Sequence, residues 1–192
     1  MTESRSVPPG GLRYRVLLPV AATALAGFVL LRGVLLARCW PQVDHSTGAL
    51  ARTFATGLLY DLAFLAYAAV PLVLYLMAVP QRLYRSRAHR GLVYALSAAL
   101  LFGLLFVLAA EWVFWGEFGA RFNFIAVDYL VYSDEVLGNI RESYPIGWLL
   151  GGLGALAMAL TFALRRPIAR ALRLDTDTRA RVLGGVALLA VP

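Results

Sequence analysis

The stretch "GLVYALSAALLFGLLFVLAA", residues 91–110, contains no charged side chain. About twenty residues rising 1.5 Å each make ~30 Å of helix, which matches the hydrocarbon thickness of a bilayer. A backbone crossing lipid must satisfy its own polar groups, so the run is read as a membrane-spanning helix. Similar runs lie on either side of it. Residues 16–36 are charged only at Arg32, residues 54–79 only at Asp61, and residues 146–164 nowhere. Pro71 marks a candidate kink in the second run. A fifth run occupies 182–192, roughly half of the ~20 residues a crossing needs. The predicted fold class is therefore all-α: a polytopic membrane helix bundle with four complete spans and a truncated fifth. The short fifth run leads to the expectation that the chain is a piece of a longer protein.

Composition agrees. Hydrophobic residues make up 60% of the 192, charged residues only 15%, and the mean hydropathy is +0.71, more apolar surface than a soluble domain of this size can bury. All 18 basic residues are arginine, and the net charge is +7. These arginines fall in blocks between the apolar runs, which points to membrane topology and away from nucleic acid. Cys39, the single cysteine, excludes an internal disulfide and a multi-cysteine metal site, and it is read as a residue at a helix end. Arg5, Arg13 and Arg15 precede the first span, but its apolar core is too long for a signal peptide and further spans follow.

The arginine blocks assign the sides. The N-terminal segment has three Arg against one acid, residues 80–90 four against none, and residues 165–181 six against two. The alternate segments are different: residues 37–53 have two Arg, and residues 111–145 have two against six acids. The positive-inside rule places the first group in the cytoplasm and the second outside, so the fifth run heads outward.

Within the outer segment, "RFNFIAVDYLVYSDEVLGNIRESYP" (121–145) follows Trp112 and Trp115, which are expected in an interfacial aromatic belt. Phe122, Phe124, Ile125, Tyr129, Tyr132, Val136 and Ile140 recur largely at three- and four-residue steps, with Asp128 and Glu135 on another face. That pattern predicts interfacial amphipathic helices in the extracytoplasmic 111–145 segment. Two roles remain open for it: a solvated connector, or a platform holding a lipid headgroup or a partner domain. For the second role the candidate contact residues are Arg121, Asn123, Asp128, Asn139 and Arg141.

The pieces "RFNFIAVDYLVY" and "EVLGNIRESYP", with "GLLYDLAFLAYAAVPLVL" (57–74), are similar to the membrane portion of the lipoteichoic acid synthase-like, sulfatase-like membrane phosphotransferases of the alkaline phosphatase superfamily. The resemblance covers roughly residues 50–165. It implies a multi-pass protein of the bacterial cytoplasmic (inner) membrane with an extracytoplasmic catalytic domain after residue 192. That domain would carry a threonine nucleophile and a divalent metal (Mn, Mg or Zn). The implied reaction moves a phosphoglycerol-type unit from a phospholipid at the outer leaflet to a cell-envelope acceptor. The implied partners are the lipid bilayer, a phospholipid headgroup and the chain's own catalytic domain, with no nucleic acid. No catalytic or metal-binding residue is carried over to this chain, because His45 and His89 fall on opposite sides of the membrane in this topology. The alternative from another class is a non-catalytic membrane scaffold or transporter fragment.

Charges inside the membrane are costly and are usually paired or face a cavity. Arg32 and Asp61 fall at similar depth in the outer half of the first two spans. They are expected either to pair, or to go separate ways with Arg32 snorkelling to the interface. Gly147, Gly151, Ala155 and Ala159 form a small-residue stripe, the pattern of close helix packing.

Overall fold

The structure, a computed structural model, describes residues 12–121, 145–174 and 176–191. These residues form a 3-10 turn (Leu12–Leu17) followed by α1 (Leu18–Arg38), α2 (Thr47–Ala78), α3 (Gln81–Tyr84), α4 (Arg87–Phe118), α5 (Ile146–Ala163), α6 (Arg165–Leu172) and α7 (Thr178–Leu189), with no strand among the described residues. Four of the helices are long and apolar enough to cross a membrane: the 3-10 turn continued into α1, then α2, α4 and α5. Their outer surfaces carry large apolar side chains, Trp148 at 87% and Leu59 at 68% exposure among them. Water would penalise such a surface and lipid does not. The chain is an all-α, multi-pass membrane helix bundle.

Two helices outrun their apolar cores. Ser46 caps α2 by accepting from Ala49 N, and Ser86 caps α4 by accepting from His89 N at 3.1 Å. The exposed Asp44 accepts from the Ser46 backbone at 2.8 Å and from its hydroxyl at 2.9 Å, which holds the Asp44 carboxyl below its ordinary range. Pro71 lies inside α2, which continues through it. At its far end α4 runs on to Phe118 and stops at Gly119, whose φ of +62° is the left-handed cap that glycine adopts without strain. Residues 111–118, expected to open the extramembrane segment, are therefore the last two turns of a membrane helix. Charge at Glu111 ended the apolar run, but nothing in "EWVFWGEF" breaks the hydrogen-bond ladder. The amphipathic helices expected beyond residue 121 lie outside the described residues.

The helices pack in the order α7, α2, α1, α4, α5, each against the next. At the arginine-rich end the 3-10 turn meets α1, α2, α6 and α7, and the main buried apolar cluster forms around it from Tyr14, Val16, Leu76, Tyr84, Ile168 and their neighbours. Here α7 turns back along α2. Tyr14 donates to the carbonyl of Arg181 at 2.8 Å, and Arg181 donates to the carbonyl of Val79 at 3.0 Å. Gly185 permits this approach, since a Cβ there would fall 2.6 Å from both Met77 Sδ and the Tyr14 hydroxyl.

The small-residue stripe does not pack against any described helix. Gly147, Gly151, Ala155 and Ala159 are all exposed, while α5 buries Ala157 and Thr161. The mean apolarity of α5 is nearly uniform around its axis, so composition alone does not distinguish the face that meets protein from the face that meets lipid.

Between α2 and α4, with α1 as its floor, runs an apolar groove of about 390 Å³. Its arginine-rich end is closed where the Tyr75 hydroxyl meets His89 Nδ1 at 2.9 Å. Toward the other end it is walled by Phe28, Phe64 and Val107.

Candidate functional site: a buried charge cluster

Positions four apart on a helix share a face, so Phe28 and Arg32 point from α1 toward the same neighbour. On α2 the matching face carries Gly57, Asp61 and Phe64. The rings of Phe28 and Phe64 meet edge to face at 5.8 Å. One turn further on, Arg32 Nη2 donates to Asp61 Oδ2 at 2.7 Å. Both side chains are buried, at 7% and 9% exposure. Of the two fates open to these residues in sequence, the structure places them together.

Gly57 makes this geometry possible. A Cβ at that position would lie 2.3 Å from Arg32 Cζ, so any other residue displaces the guanidinium. Arg32 Nη1 is buried and has no hydrogen-bond partner among the described residues. It is therefore a charged donor held ready for an acceptor.

A second pair lies across the groove. Glu111 is 5% exposed on α4, at the end of the packing face that includes Leu101, Leu104 and Leu108. It takes both prongs of Arg121: Nε meets Oε1 in a short contact, and Nη2 donates to Oε2 at 3.1 Å. The Glu111 hydrogen bond raises the Arg121 pKa above its ordinary value, partial burial opposes this, and the charges of Glu111 and then Asp61 add to the rise. The influence of Asp61 on Arg121 places the two pairs at the same end of the bundle. Arg38 completes this end of the bundle. Its guanidinium sits 4.9 Å from the centre of the Trp112 ring, and no described carboxylate lies within ion-pair distance of it.

Of the sequence-derived contact candidates, Arg121 is thus tied to Glu111, while Asn123, Asp128, Asn139 and Arg141 lie outside the described residues. Sequence reasoning missed Glu111, Gly57 and Arg38. Glu111 follows Leu101, Leu104 and Leu108 at helical spacing, and this periodicity was the available signal that it belongs to the buried face.

The cluster offers acceptors whose charge is already matched, a spare guanidinium nitrogen, an Arg38 that no described carboxylate neutralises, and an apolar groove leading away beneath. Among the described residues no three His, Cys, Asp or Glu side chains gather as metal ligands. Comparison with protein-family models, with characterised proteins and with solved structures gave no match to the chain.

Proposed function

We propose that this chain is the membrane domain of an outward-facing, sulfatase-like transferase that moves a phosphoglycerol-type unit from a phospholipid to a cell-envelope acceptor. In this reading the chemistry belongs to a catalytic domain that follows the bundle, and the bundle presents the lipid. The supporting observation is the coincidence, at one end of the molecule, of the Arg32–Asp61 and Arg121–Glu111 pairs and the apolar groove beneath them, with Arg121 the first residue of a piece that carries the resemblance. The arginine asymmetry of the loops supports placing that end outside the cytoplasm. The chain's own residues would bind and orient. The groove runs from Val16 in the 3-10 turn to Phe28 in α1, ~18 Å, comparable with the ~15 Å of one hydrocarbon leaflet. An acyl chain lying in it would bring its phosphate toward Arg32 Nη1 and Arg38.

The test is headgroup transfer in cells. A strain with the gene deleted should lose transfer of label from glycerol-labelled phosphatidylglycerol into the envelope fraction, and the intact gene should restore it. Restoration by a gene carrying Arg38→Gln together with Arg121→Gln, Asn123→Ala and Asp128→Ala should fail although the protein still reaches the membrane. Full transfer in the deletion strain, or full restoration by that variant, would remove the reading.

A further inference from the structure

The apolar groove ends in a polar stop. Its described lining is apolar except at two hydroxyls, and both are spent: Ser97 donates to the Val93 carbonyl at 2.7 Å, and the Tyr75 hydroxyl meets His89 Nδ1 at 2.9 Å. Behind Tyr75 the protein is closely stacked. The His89 ring centre lies 5.8 Å from that of Tyr75 and 4.8 Å from that of Tyr84, and the Arg13 guanidinium carbon lies 3.9 Å from the centre of the Tyr84 ring. His89 and Arg13 are both buried, and the His89 backbone is held by the Ser86 cap that starts α4.

The long sides of the groove differ from this end. Phe64 on α2 and Leu100 and Val107 on α4 line it and are themselves exposed, so it opens sideways between the two helices. In a membrane such an opening meets hydrocarbon, and the lining offers no unpaired polar group to water. The floor runs ~18 Å from Val16 to Phe28, and one turn past Phe28 lies Arg32. The buried Arg32 Nη1 has no hydrogen-bond partner among the described residues, which favours a tail that carries an anionic head.

We propose that the groove holds one acyl chain of the donor phospholipid, and that Tyr75, braced by His89, sets the longest chain it accepts. That the lipid is a donor rests on the transferase reading, whereas the length limit depends on the groove alone. A tail leaving the bilayer for the groove exchanges one apolar surrounding for another, so filling the groove discriminates little among short tails. A tail longer than the ~18 Å floor is different. It must bend out between α2 and α4 or part Tyr75 from His89, and the second course strands buried polar groups at a cost of about a factor of ten.

The full chain in phosphatidylcholine nanodiscs, loaded with an equal mixture of monounsaturated phosphatidylglycerols of increasing tail length, tests this by native mass spectrometry. Wild-type retention should fall about threefold to tenfold beyond one tail length. Ala69 lines the groove six residues, ~9 Å, before Tyr75, so Ala69→Phe should move the fall to shorter tails. Tyr75→Ala clears the end and should move it to longer ones. Gly151→Phe adds bulk on α5, where a Cβ meets nothing within 4 Å, and should leave the fall where it is. Retention by the wild type that is flat across the series overturns the proposal without any variant. A limit that stays in place in Ala69→Phe and Tyr75→Ala overturns the role of Tyr75. A length limit in a chain whose gene supports no headgroup transfer would uphold the groove and remove only the donor assignment.

Discussion

The two ends of this bundle each bury one arginine, and they do so by different means. At one end Arg32 meets the carboxylate of Asp61, with the more exposed Arg121 paired to Glu111 nearby. At the other, Arg13 lies on the face of Tyr84, and the half-buried Arg181 reaches the carbonyl of Val79. Position along the helices explains the difference. Arg32 sits about six residues inside the end of α1, ~9 Å down, where only an opposite charge offsets the cost of leaving water. Arg13 lies at the very start of its span, where the face of an aromatic ring is a sufficient partner. Depth in the membrane therefore selects the partner of a buried arginine.

The largest effect should come from breaking the deeper pair. Asp61→Leu strands a buried guanidinium and should cost about 3–5 kcal/mol in detergent unfolding experiments. Arg32→Leu/Asp61→Leu should recover most of that loss, because a packed apolar pair replaces a buried ionic one at little net cost. A single variant as stable as the wild type would mean that Arg32 reaches water, and the contrast between the ends would collapse. Next in size is Gly57→Val. It drives a side chain into the space of the Arg32 guanidinium, and about 1–3 kcal/mol of overpacking is expected in the same assay.

At the arginine-rich end, Tyr84→Leu keeps bulk but removes the π face under Arg13. A loss of about 1–2 kcal/mol should appear, smaller than that for Asp61→Leu. A larger loss at Tyr84 than at Asp61 would invert the ranking by depth. The smallest effect should be at Gly151→Leu on the lipid-facing side of α5, within about 0.5 kcal/mol, with helix content by circular dichroism unchanged. A strong loss there would mean that another helix covers this stripe.

The number and type of the long helices were legible in the chain because lipid imposes a simple rule. A backbone crossing it must be helical, and a run such as 91–110 is long enough to cross. Arg32 and Asp61 stood out for the same reason, as charges where charges are costly. Helix ends were read less well. Apolarity stops at Glu111, but the ladder continues to the glycine at 119. Packing faces were read worst, as the exposed stripe on α5 shows, because lipid and protein interior are equally apolar and leave no moment to detect.

By itself, then, the sequence determined that this protein spans a membrane, how many long helices it uses and which intramembrane charges must be dealt with. All three follow from the local cost of placing a residue in hydrocarbon. Only the tertiary structure decided that Arg32 meets Asp61 over the missing side chain of Gly57, that Glu111 takes Arg121, and that Tyr75 meets His89 at the end of the groove. Those outcomes depend on which faces of neighbouring helices interlock, a property of pairs of helices that no single apolar run encodes.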